Sequence, residues 1–373
     1  MKITGIVAHL TDTKPRYPYD WQVDRPGSDD GRGLGMQQMC VLRIQTDGGI
    51  EGHGVVGGRG LPVLDVVKRR FGHILLGMDP LNTEYLWQRM WDIDRLEEFP
   101  LYAQGIADLA LWDLKGKLAK LPVYQLLGGY RDEIPAYAST TSYDTEEEYL
   151  RVIDAALDEG YRSIKLHLRY RDVKTNAALC RRVRQHVGDE IELTLDASAL
   201  WEYTDSLWFG RRLEELQFAW YEEPMREFDL ESYARLCRDL DIPILACETP
   251  DGVHWNAGEW IRRGALDIMR TSTHYKAGLT GGVKIGHLAE SYGMYAEVHG
   301  GGPANLHLGL ALPNNRYYED LVISVEQVHD TASRGVAFRN GAVRVPEGTI
   351  GLGQDLDIAY IEAHAVETVR LPG

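Results

Sequence analysis

Three acidic residues recur at a regular interval in the second half of this 373-residue chain. Asp196, Glu222 and Glu248 each end a short apolar run, and 26 residues separate each acid from the next. If these side chains converge at low dielectric, the three carboxylates repel one another, and a hard dication relieves the repulsion. Ligation by oxygen alone favours Mg²⁺ over Zn²⁺, so the pattern predicts a magnesium site. The alternative is that each acid caps a helix or pairs with an arginine.

The elements that would position these acids repeat from about residue 133 onward, as an apolar run followed by an amphipathic helix. The runs cover residues 133–139, 163–168, 190–197, 218–224, 242–248, 266–270, 293–299 and 316–320. Eight such units predict a parallel barrel, whose active site lies at the C-terminal ends of the strands. A doubly wound open sheet is the alternative, but no GxGxxG motif follows the first of these strands.

Helix signals are clear after the first of these runs. Asp144 and Glu147 are predicted to form a capping box for a helix over residues 145–159. Gly160 supplies the signal that ends this helix.

Residues 1–130 follow a different pattern, which predicts a mixed α+β unit. Strand-like runs at 37–45 and 50–56 flank Asp47-Gly48-Gly49, a hairpin signal. Three helical stretches follow near residues 62–72, 82–95 and 101–119. A second hairpin signal, Asn340-Gly341, lies in the C-terminal tail, and we expect this tail to pack back on the first unit.

The composition excludes several classes of partner. The formal net charge of −16 argues against nucleic acid and anionic membranes. The sequence contains no 18-residue apolar run that could span a bilayer, and the start MKITGIVAHLTDTK lacks the apolar core of a secretion signal. The four cysteines are scattered, as expected for free thiols in a reducing compartment. We therefore expect a cytoplasmic protein that attracts any anionic substrate through a local positive site.

Further motifs surround the three acids in a defined order. They are KxH at 165–167, DASALW at 196–201, YEEP at 221–224, CE at 247–248, AGLTGG at 277–282 and His299. In this order they resemble the mandelate racemase subgroup of the enolase superfamily. Residues 106–129 are similar to the helix that leads into that family's barrel, and residues 343–353 resemble its closing segment. The resemblance implies an α/β fold: a modified TIM (β/α) barrel of residues 131–330 under an α+β capping domain of residues 1–130 and 331–373.

The resemblance also implies a first chemical step and roles for two further residues. A carboxylate substrate bound to Mg²⁺ would lose its α-proton to give an enediolate. Lys165 would add a second cation beside the metal. Glu319, in the eighth strand, matches an acid that hydrogen-bonds the other carboxylate oxygen, and a protonated glutamate would serve as that donor.

The second strand of this family usually reads Lys-x-Lys, and the second lysine is the base. Here that position is His167. Side chains alternate along a strand, so Lys165 and His167 are expected to point together into the barrel. Because histidine titrates near neutral pH, we expect His167 to remove the α-proton.

His299 follows the seventh run and precedes Gly300-Gly301-Gly302, which leave backbone room for a ligand. The family pairs this histidine with an aspartate at the end of strand six, but the matching position here is Ser272. His274 is a second candidate for that partner. A serine offers only a neutral hydrogen bond, so His299 suits a general acid or a weak base. Racemisation, which needs competent bases on both faces, is correspondingly less favoured.

Loops of the first domain set specificity in this family. The matching segments are 15–32, with Trp21 and Arg25, and 54–62, with Arg59. These polar and aromatic side chains favour a polyhydroxy acid as substrate. Glu223 either pairs with the basic group of the second strand or lies behind the metal ligands, and it completes the predicted substrate-binding set.

The first functional hypothesis is a hydro-lyase: dehydration of an acid sugar to a 2-keto-3-deoxy acid. Epimerisation, racemisation or cycloisomerisation of a hydroxy acid or sugar-acid lactone are alternatives, because all share the enediolate. A phosphate-binding barrel enzyme is an alternative of another class, suggested by the glycines after His299, although no Lys or Arg lies near them. A non-catalytic binding protein would be expected to have lost the metal acids. The enzyme is expected to form a homo-oligomer.

Overall fold

The computed structural model of the chain describes residues 1–12, 38–57, 60–168, 172–322, 324–329, 335–354 and 356–372. Within these ranges, no helix combines the length and the apolar character needed to cross a membrane. The described residues form a four-stranded antiparallel sheet with its helices, followed by a parallel barrel.

The sheet of the first domain contains β1 (Ile3–Asp12), β2 (Gln38–Thr46), β3 (Glu51–Val56) and, from the tail, β14 (Ala365–Leu371). The strand order is β14-β1-β2-β3, and every pair is antiparallel. A Cβ atom at Gly52 would lie 2.0 Å from the carbonyl oxygen of Ala110, so the absence of a side chain lets a helix backbone approach β3.

The longer helices of this domain lie in the three predicted stretches, and a short helix at 123–126 was not predicted. The helices are α1 (Gly60–Val66), which continues through a π-helical turn (Val67–Phe71) into α2 (Gly72–Leu75), then α3 (Thr83–Glu97), α4 (Leu101–Ala119) and α5 (Val123–Leu126). Helix α4 is almost entirely buried because it packs between this sheet and the barrel. Asp108 accepts hydrogen bonds from the backbone and the hydroxyl of Thr280, and Trp112 donates to the same hydroxyl.

Eight parallel strands, each followed by a helix, form the barrel. The strands are β4 (Glu133–Ser139), β5 (Ser163–His167), β6 (Glu192–Asp196), β7 (Tyr221–Glu222), β8 (Ile244–Ala246), β9 (Ile268–Thr271), β10 (Ala296–Val298) and β11 (Tyr318–Leu321). The helices are α6 (Glu146–Asp158), α7 (Val173–Val187), α8 (Tyr203–Glu215), α9 (Leu230–Asp239), α10 (Val253–Arg263), α11 (Gly278–Ser291), α12 (Pro303–Ala311) and α13 (Val325–His329). Strands β4 to β10 pair in sequence order, and β11 pairs with β4. The predicted barrel with its capping domain is confirmed.

The interior of the barrel is layered by the alternation of side chains along its strands. Tyr137, Trp220 and Ile268 belong to one apolar cluster that fills the barrel. Two residues further along the same strands lie Ser139, Glu222 and Arg270, all buried. A polar layer therefore lies directly above an apolar one, toward the C-terminal strand ends.

The capping box of α6 lies one residue later than predicted. Thr145 is the N-cap, with φ −132° and ψ 154°, and its side chain accepts from the backbone of Glu148 while Glu148 reaches back to the N-cap backbone. The segment Asp-Thr-Glu-Glu-Glu contains two overlapping pairs of suitable residues, and only the backbone conformation selects between them.

The expectation that the tail packs on the first domain holds for the end of the tail but not for its hairpin. The strands β12 (Ala337–Arg339) and β13 (Ala342–Arg344) form the hairpin, and β13 pairs antiparallel with residues 133–135 of β4. Because β5 and β11 pair with β4 only from residue 136 onward, the start of β4 needs another backbone partner. The rest of the tail, α14 (Ile358–His364) and β14, reaches β1. The domain boundaries at residues 130 and 330 stay a prediction.

Candidate active site and metal centre

The three acids converge at the C-terminal mouth of the barrel. Asp196 and Glu222 are the last residues of β6 and β7 and lie side by side in register, and Glu248 follows β8 by two residues. One carboxylate oxygen from each lies within 4.8 Å of the others. The side chains of Asp196 and Glu222 are buried, whereas that of Glu248 is 14% exposed. The spacing in the sequence thus corresponds to one patch of the mouth.

A strained turn brings Glu248 into this patch. Cys247 has φ +78°, in the left-handed region that residues with a side chain rarely adopt. Glu223, at φ +42°, accepts the backbone N–H of Glu248 at 3.0 Å through Oε1. The turn after β8 is therefore anchored to the turn after β7.

The electrostatics of the triad suit a divalent cation. Burial, together with the charges of Asp196 and Glu222, raises the pKa of Glu248 to about 8. Burial also raises the pKa of Glu222, although Arg270 and Lys165 oppose the shift. The raised pKa values show that a second and a third negative charge are unfavourable here without a cation, and the oxygen donors are those that Mg²⁺ prefers. These residues fit the predicted metal.

Lys165 provides a fixed positive charge beside the triad. Its fully buried Nζ lies 2.6 Å from Glu319 Oε1, 3.2 Å from Glu222 Oε2 and 3.5 Å from Asp196 Oδ2. Burial alone would lower the pKa of Lys165, but the charges of Glu222 and Glu319 outweigh it and raise that pKa well above its usual value. Lys165 is therefore a permanent cation in the site.

His167 is held with one ring nitrogen toward the triad. Its Nδ1 lies 2.5 Å from the carbonyl oxygen of Thr140, which can only accept a hydrogen bond, so Nδ1 carries a proton. Its Nε2 lies 3.1 Å from Asp196 Oδ2. A carboxylate oxygen can only accept, so the Nε2–Asp196 contact is a hydrogen bond when Nε2 also carries a proton, and Nε2 is the atom that can exchange a proton beside the metal centre.

Glu319 lies in a network of donors that includes a buried arginine of β9. Its Oε1 accepts from Ser139 at 2.9 Å and its Oε2 accepts from the Gly300 N–H at 2.7 Å and from Arg270 Nη2 at 3.1 Å. Burial would raise the pKa of Glu319, but Lys165 and Arg270 hold it well below its usual value. The two buried cations thus favour the ionised form of Glu319, in contrast to the expected protonated donor, and its contact with a substrate carboxylate stays a prediction.

His299 lies at the other end of the triad from His167. Its backbone N–H donates to Thr271 at 2.7 Å, and its Nε2 lies 3.3 Å from Glu248 Oε1. Burial lowers the pKa of His299 to about 3, and the cationic Arg270 adds to this shift while Glu319 opposes it. The ring is therefore neutral at physiological pH.

Neither candidate partner orients His299 as an aspartate would. The hydroxyl of Ser272 accepts the backbone N–H of Tyr275 at 3.0 Å. His274 stacks on Tyr102 of α4, with ring centroids 5.3 Å apart and planes 7° apart. The structure thus agrees with the predicted loss of a charged partner at this position.

Comparison with known proteins places this geometry in a family. Residues 148–360 match the family described as Enolase C-terminal domain-like. Residues 25–128 match the family described as Mandelate racemase / muconate lactonizing enzyme, N-terminal domain. The chain belongs to the enolase superfamily.

Proteins similar to this enolase-superfamily enzyme match over most of their lengths. Arabinonate dehydratase of Saccharolobus solfataricus is 28% identical over 88% of this chain and 90% of its own. D-galactarolactone cycloisomerase of Agrobacterium fabrum is 27% identical over 96% of this chain and 97% of its own. The crystal structure of D-glucarate dehydratase from Agrobacterium tumefaciens complexed with magnesium superimposes with a TM-score of 0.88 and 34% identity, over 98% of this chain and 100% of that one. The triad and this relative's magnesium together confirm the prediction of Mg²⁺.

Glu223 of this enolase-superfamily enzyme fits the second of its two predicted roles. It is buried, and burial together with the charges of Glu227 and Glu248 raises its pKa well above its usual value. Lys165 pairs with other acids, so Glu223 does not neutralise it. Its contact with the Glu248 backbone indicates support behind a metal ligand, and contact with substrate stays a prediction.

The glycines after His299 do not form a phosphate cradle. The N–H of Gly300 donates to the Glu319 carboxylate at 2.7 Å, and the N–H of Gly302 donates to the Tyr318 hydroxyl at 2.6 Å. A phosphate would have to displace a carboxylate that two cations hold in place. The contacts therefore argue against the phosphate-binding alternative.

Arg270 belongs to this site but lies in no motif that the sequence singled out. Arg270 is fully buried and bridges Glu222 Oε1 at 2.6 Å and the Tyr137 hydroxyl at 3.0 Å. The available signal was an arginine in an apolar strand, since a buried arginine requires anionic partners. The remaining substrate-binding predictions, Trp21, Arg25 and Arg59, lie outside the described residues.

Proposed function

We propose that this enzyme dehydrates an acid sugar to a 2-keto-3-deoxy acid. The observation that carries the proposal is the placement of two histidines at opposite ends of the acidic triad. His167 Nε2 lies beside Asp196 and His299 Nε2 lies beside Glu248. Dehydration needs one group that removes the C2 proton and another that protonates the departing C3 hydroxyl.

The acidic triad and Lys165 prepare the substrate for proton loss. Asp196, Glu222 and Glu248 would hold Mg²⁺, which supplies positive charge where negative charge develops as the α-proton leaves. Lys165 adds a fixed cation within 3.5 Å of Asp196. Glu319 pairs with both Lys165 and Arg270 and so keeps these two cations beside the metal ligands.

The two histidines then move the protons. His167 Nε2 accepts the α-proton, and Asp196 Oδ2 stabilises the resulting imidazolium while Thr140 keeps the ring in place. His299 starts neutral, so it must take up a proton from solvent before it can donate one to the departing C3 hydroxyl, which leaves as water. An anionic substrate beside His299 raises its pKa and makes that protonation more favourable.

Epimerisation and cycloisomerisation are the second candidates. They share the first proton removal, and one similar protein is a D-galactarolactone cycloisomerase. The names of other similar proteins, arabinonate dehydratase and D-glucarate dehydratase, favour elimination and acid-sugar substrates. The two reaction types differ in their product, because only dehydration releases a 2-keto acid.

A panel of aldonic and aldaric acids with Mg²⁺ tests the proposal. Keto-acid formation is measured together with exchange of the C2 hydrogen in D₂O, read by NMR. Glu222→Gln should abolish both readouts, whereas Glu290→Gln, a control at an exposed site on α11, should retain them. Exchange or inversion at C2 without formation of a keto acid would indicate an epimerase. Full turnover after exhaustive chelation would contradict the assignment of the three acids as metal ligands.

A further inference from the structure

An aromatic ring lies against His299 where the family's aspartate is missing. Tyr275 follows Ser272 by three residues, and its ring centroid lies 5.5 Å from that of His299 with the planes tilted by 34°. This distance is within the range of favourable aromatic pairs. A ring contact of this kind restricts rotation of the imidazole about its last side-chain bond, which is otherwise broadly variable.

Tyr275 is part of a row of rings that reaches the first domain. Tyr102 of α4 stacks on His274 with centroids 5.3 Å apart, and His274 meets Tyr275 edge-on at 4.8 Å. His299 is the last ring of the row. The position of the Tyr275 ring is therefore set by a packed neighbour on the side away from His299.

The backbone that carries Tyr275 shares an anchor with the backbone of His299. Asn305 Oδ1 accepts the N–H and the hydroxyl of Thr273 at 2.9 and 2.8 Å, and its Nδ2 donates to the carbonyl oxygen of His299 at 2.8 Å. Lys276, fully buried, donates to the carbonyl oxygen of Pro250 at 2.7 Å and ties the same loop to the loop that follows Glu248. The loop is thus a fixed platform for Tyr275.

We propose that Tyr275 is the positioning residue of His299, and that its ring does by packing what an aspartate does in the family by charge. The inference rests on the proposed dehydration, because it assigns His299 to the elimination step. A ring contact orients the imidazole without adding a negative charge. The orientation of His299 then depends on the ring of Tyr275, with no requirement for its hydroxyl.

Two substitutions of Tyr275 separate the ring from the hydroxyl. Tyr275→Leu removes the ring, and elimination should fall by at least about tenfold because a misplaced catalytic group loses rate steeply. C2 exchange, which depends on His167, should be unchanged. Tyr275→Phe keeps the ring and should eliminate like the wild type, as should the control Tyr292→Leu at a tyrosine that is 60% exposed.

A second readout is independent of turnover. In full-length protein labelled with ¹³C at histidine Cε1, the His299 signal is assigned by its loss in His299→Asn. Tyr275→Leu should move this signal, because the ring current of Tyr275 is lost, and Tyr275→Phe should leave it in place. This measurement uses the protein without substrate, so it decides the ring contact even if no acid sugar is dehydrated.

The two readouts keep the inference and the proposed function apart. If wild-type protein forms no keto acid while the His299 signal responds to Tyr275→Leu as expected, the dehydration proposal fails and the positioning contact stands. The positioning role is overturned if Tyr275→Leu leaves the signal or the elimination rate unchanged. It is also overturned if Tyr275→Phe loses as much elimination as Tyr275→Leu, since the hydroxyl would then carry the effect.

Discussion

At the scale of single residues, the site depends on ion pairs between two buried cations and two buried carboxylates. Lys165 and Arg270 both contact Glu222 and Glu319. These two cations keep Glu319 ionised and orient Glu222 toward the other acids. Removal of Arg270 should be strongly destabilising, because it would leave two buried carboxylates to share the single cation Lys165.

Arg270→Met should therefore lower the free energy of unfolding by roughly 3–5 kcal/mol, the usual cost of breaking a buried ion pair from one side. Chemical denaturation of the metal-free protein measures it. The matched control is Arg263→Met, whose side chain is 51% exposed and pairs with Glu259. That exposed pair should be worth less than about 1 kcal/mol. Equal effects of the two substitutions would contradict the assigned role of Arg270.

Replacing each of the two histidines is predicted to affect different steps of the reaction. His167→Asn should stop both C2 exchange and keto-acid formation, because proton removal precedes every later step. His299→Asn should block keto-acid formation and still permit exchange. Each loss should exceed about a hundredfold, the usual worth of a positioned acid or base. NMR of substrate recovered from D₂O decides the assignment, and exchange by His167→Asn but not by His299→Asn would reverse it.

At the scale of secondary structure, backbone pairing decides where the tail goes. The start of β4 extends beyond its barrel neighbours and pairs with β13, whereas β1 offers its free edge to β14. An unpaired strand edge exposes donors and acceptors that another strand can satisfy. The tail thus contributes a strand to each of the two sheets.

The pairing of β14 with β1 is predicted to stabilise the first domain. Val369 is buried and pairs with Ala8, so Val369→Asp should cost roughly 2–3 kcal/mol of unfolding free energy by burying a charge. Val366→Asp lies on the same strand at a side chain that is 55% exposed, and should cost less than about 1 kcal/mol. Hydrogen exchange of the β1 amides measures the difference, and equal protection in both variants would refute this role of β14.

At the scale of the whole molecule, a strongly acidic chain holds a local site for an anionic substrate. The net charge is −16, yet Lys165 and Arg270 are fully buried beside the metal ligands. The general field therefore opposes an anion, and affinity must arise from these two cations together with the metal. Metal binding is correspondingly coupled to the protonation of the ligands.

This coupling predicts a pH dependence of stability. The folded-state pKa of Glu248 is about 8, raised from 4.5, so the folded protein holds a proton that the unfolded chain releases between these values. This contribution to stability is therefore lost as pH rises from about 4.5 to about 8. Mg²⁺ must displace that proton, so its affinity should rise by up to about tenfold per pH unit below that pKa.

Thermal melting and Mg²⁺ titration between pH 5.5 and 8.5 measure both effects, with pH values chosen on either side of the Glu248 pKa of about 8. Stabilisation by Mg²⁺ should grow with pH across this range. Glu248→Gln should remove that trend, and Glu290→Gln should retain it. An Mg²⁺ affinity that does not change with pH would contradict the raised pKa of Glu248.

The sequence by itself determined the features that repeat or alternate. The 26-residue interval between Asp196, Glu222 and Glu248 follows from one strand and one helix per barrel unit, so it predicted both the barrel and the metal centre. Alternation along β5 predicted that Lys165 and His167 would face the same centre, and their contacts with Asp196 agree. These inferences need only local periodicity and the rule that consecutive parallel strands are neighbours.

Only the tertiary structure decided the features that depend on which neighbours a side chain meets. Lys165 and Arg270 lower the pKa of Glu319 because β5, β9 and β11 face the same interior from different parts of the chain. Tyr275 reaches His299 because Asn305 fixes two loops to each other, and β13 joins β4 because the barrel leaves that edge unpaired. Charge states and strand partners are set by distances between segments far apart in sequence, and no local pattern encodes those distances.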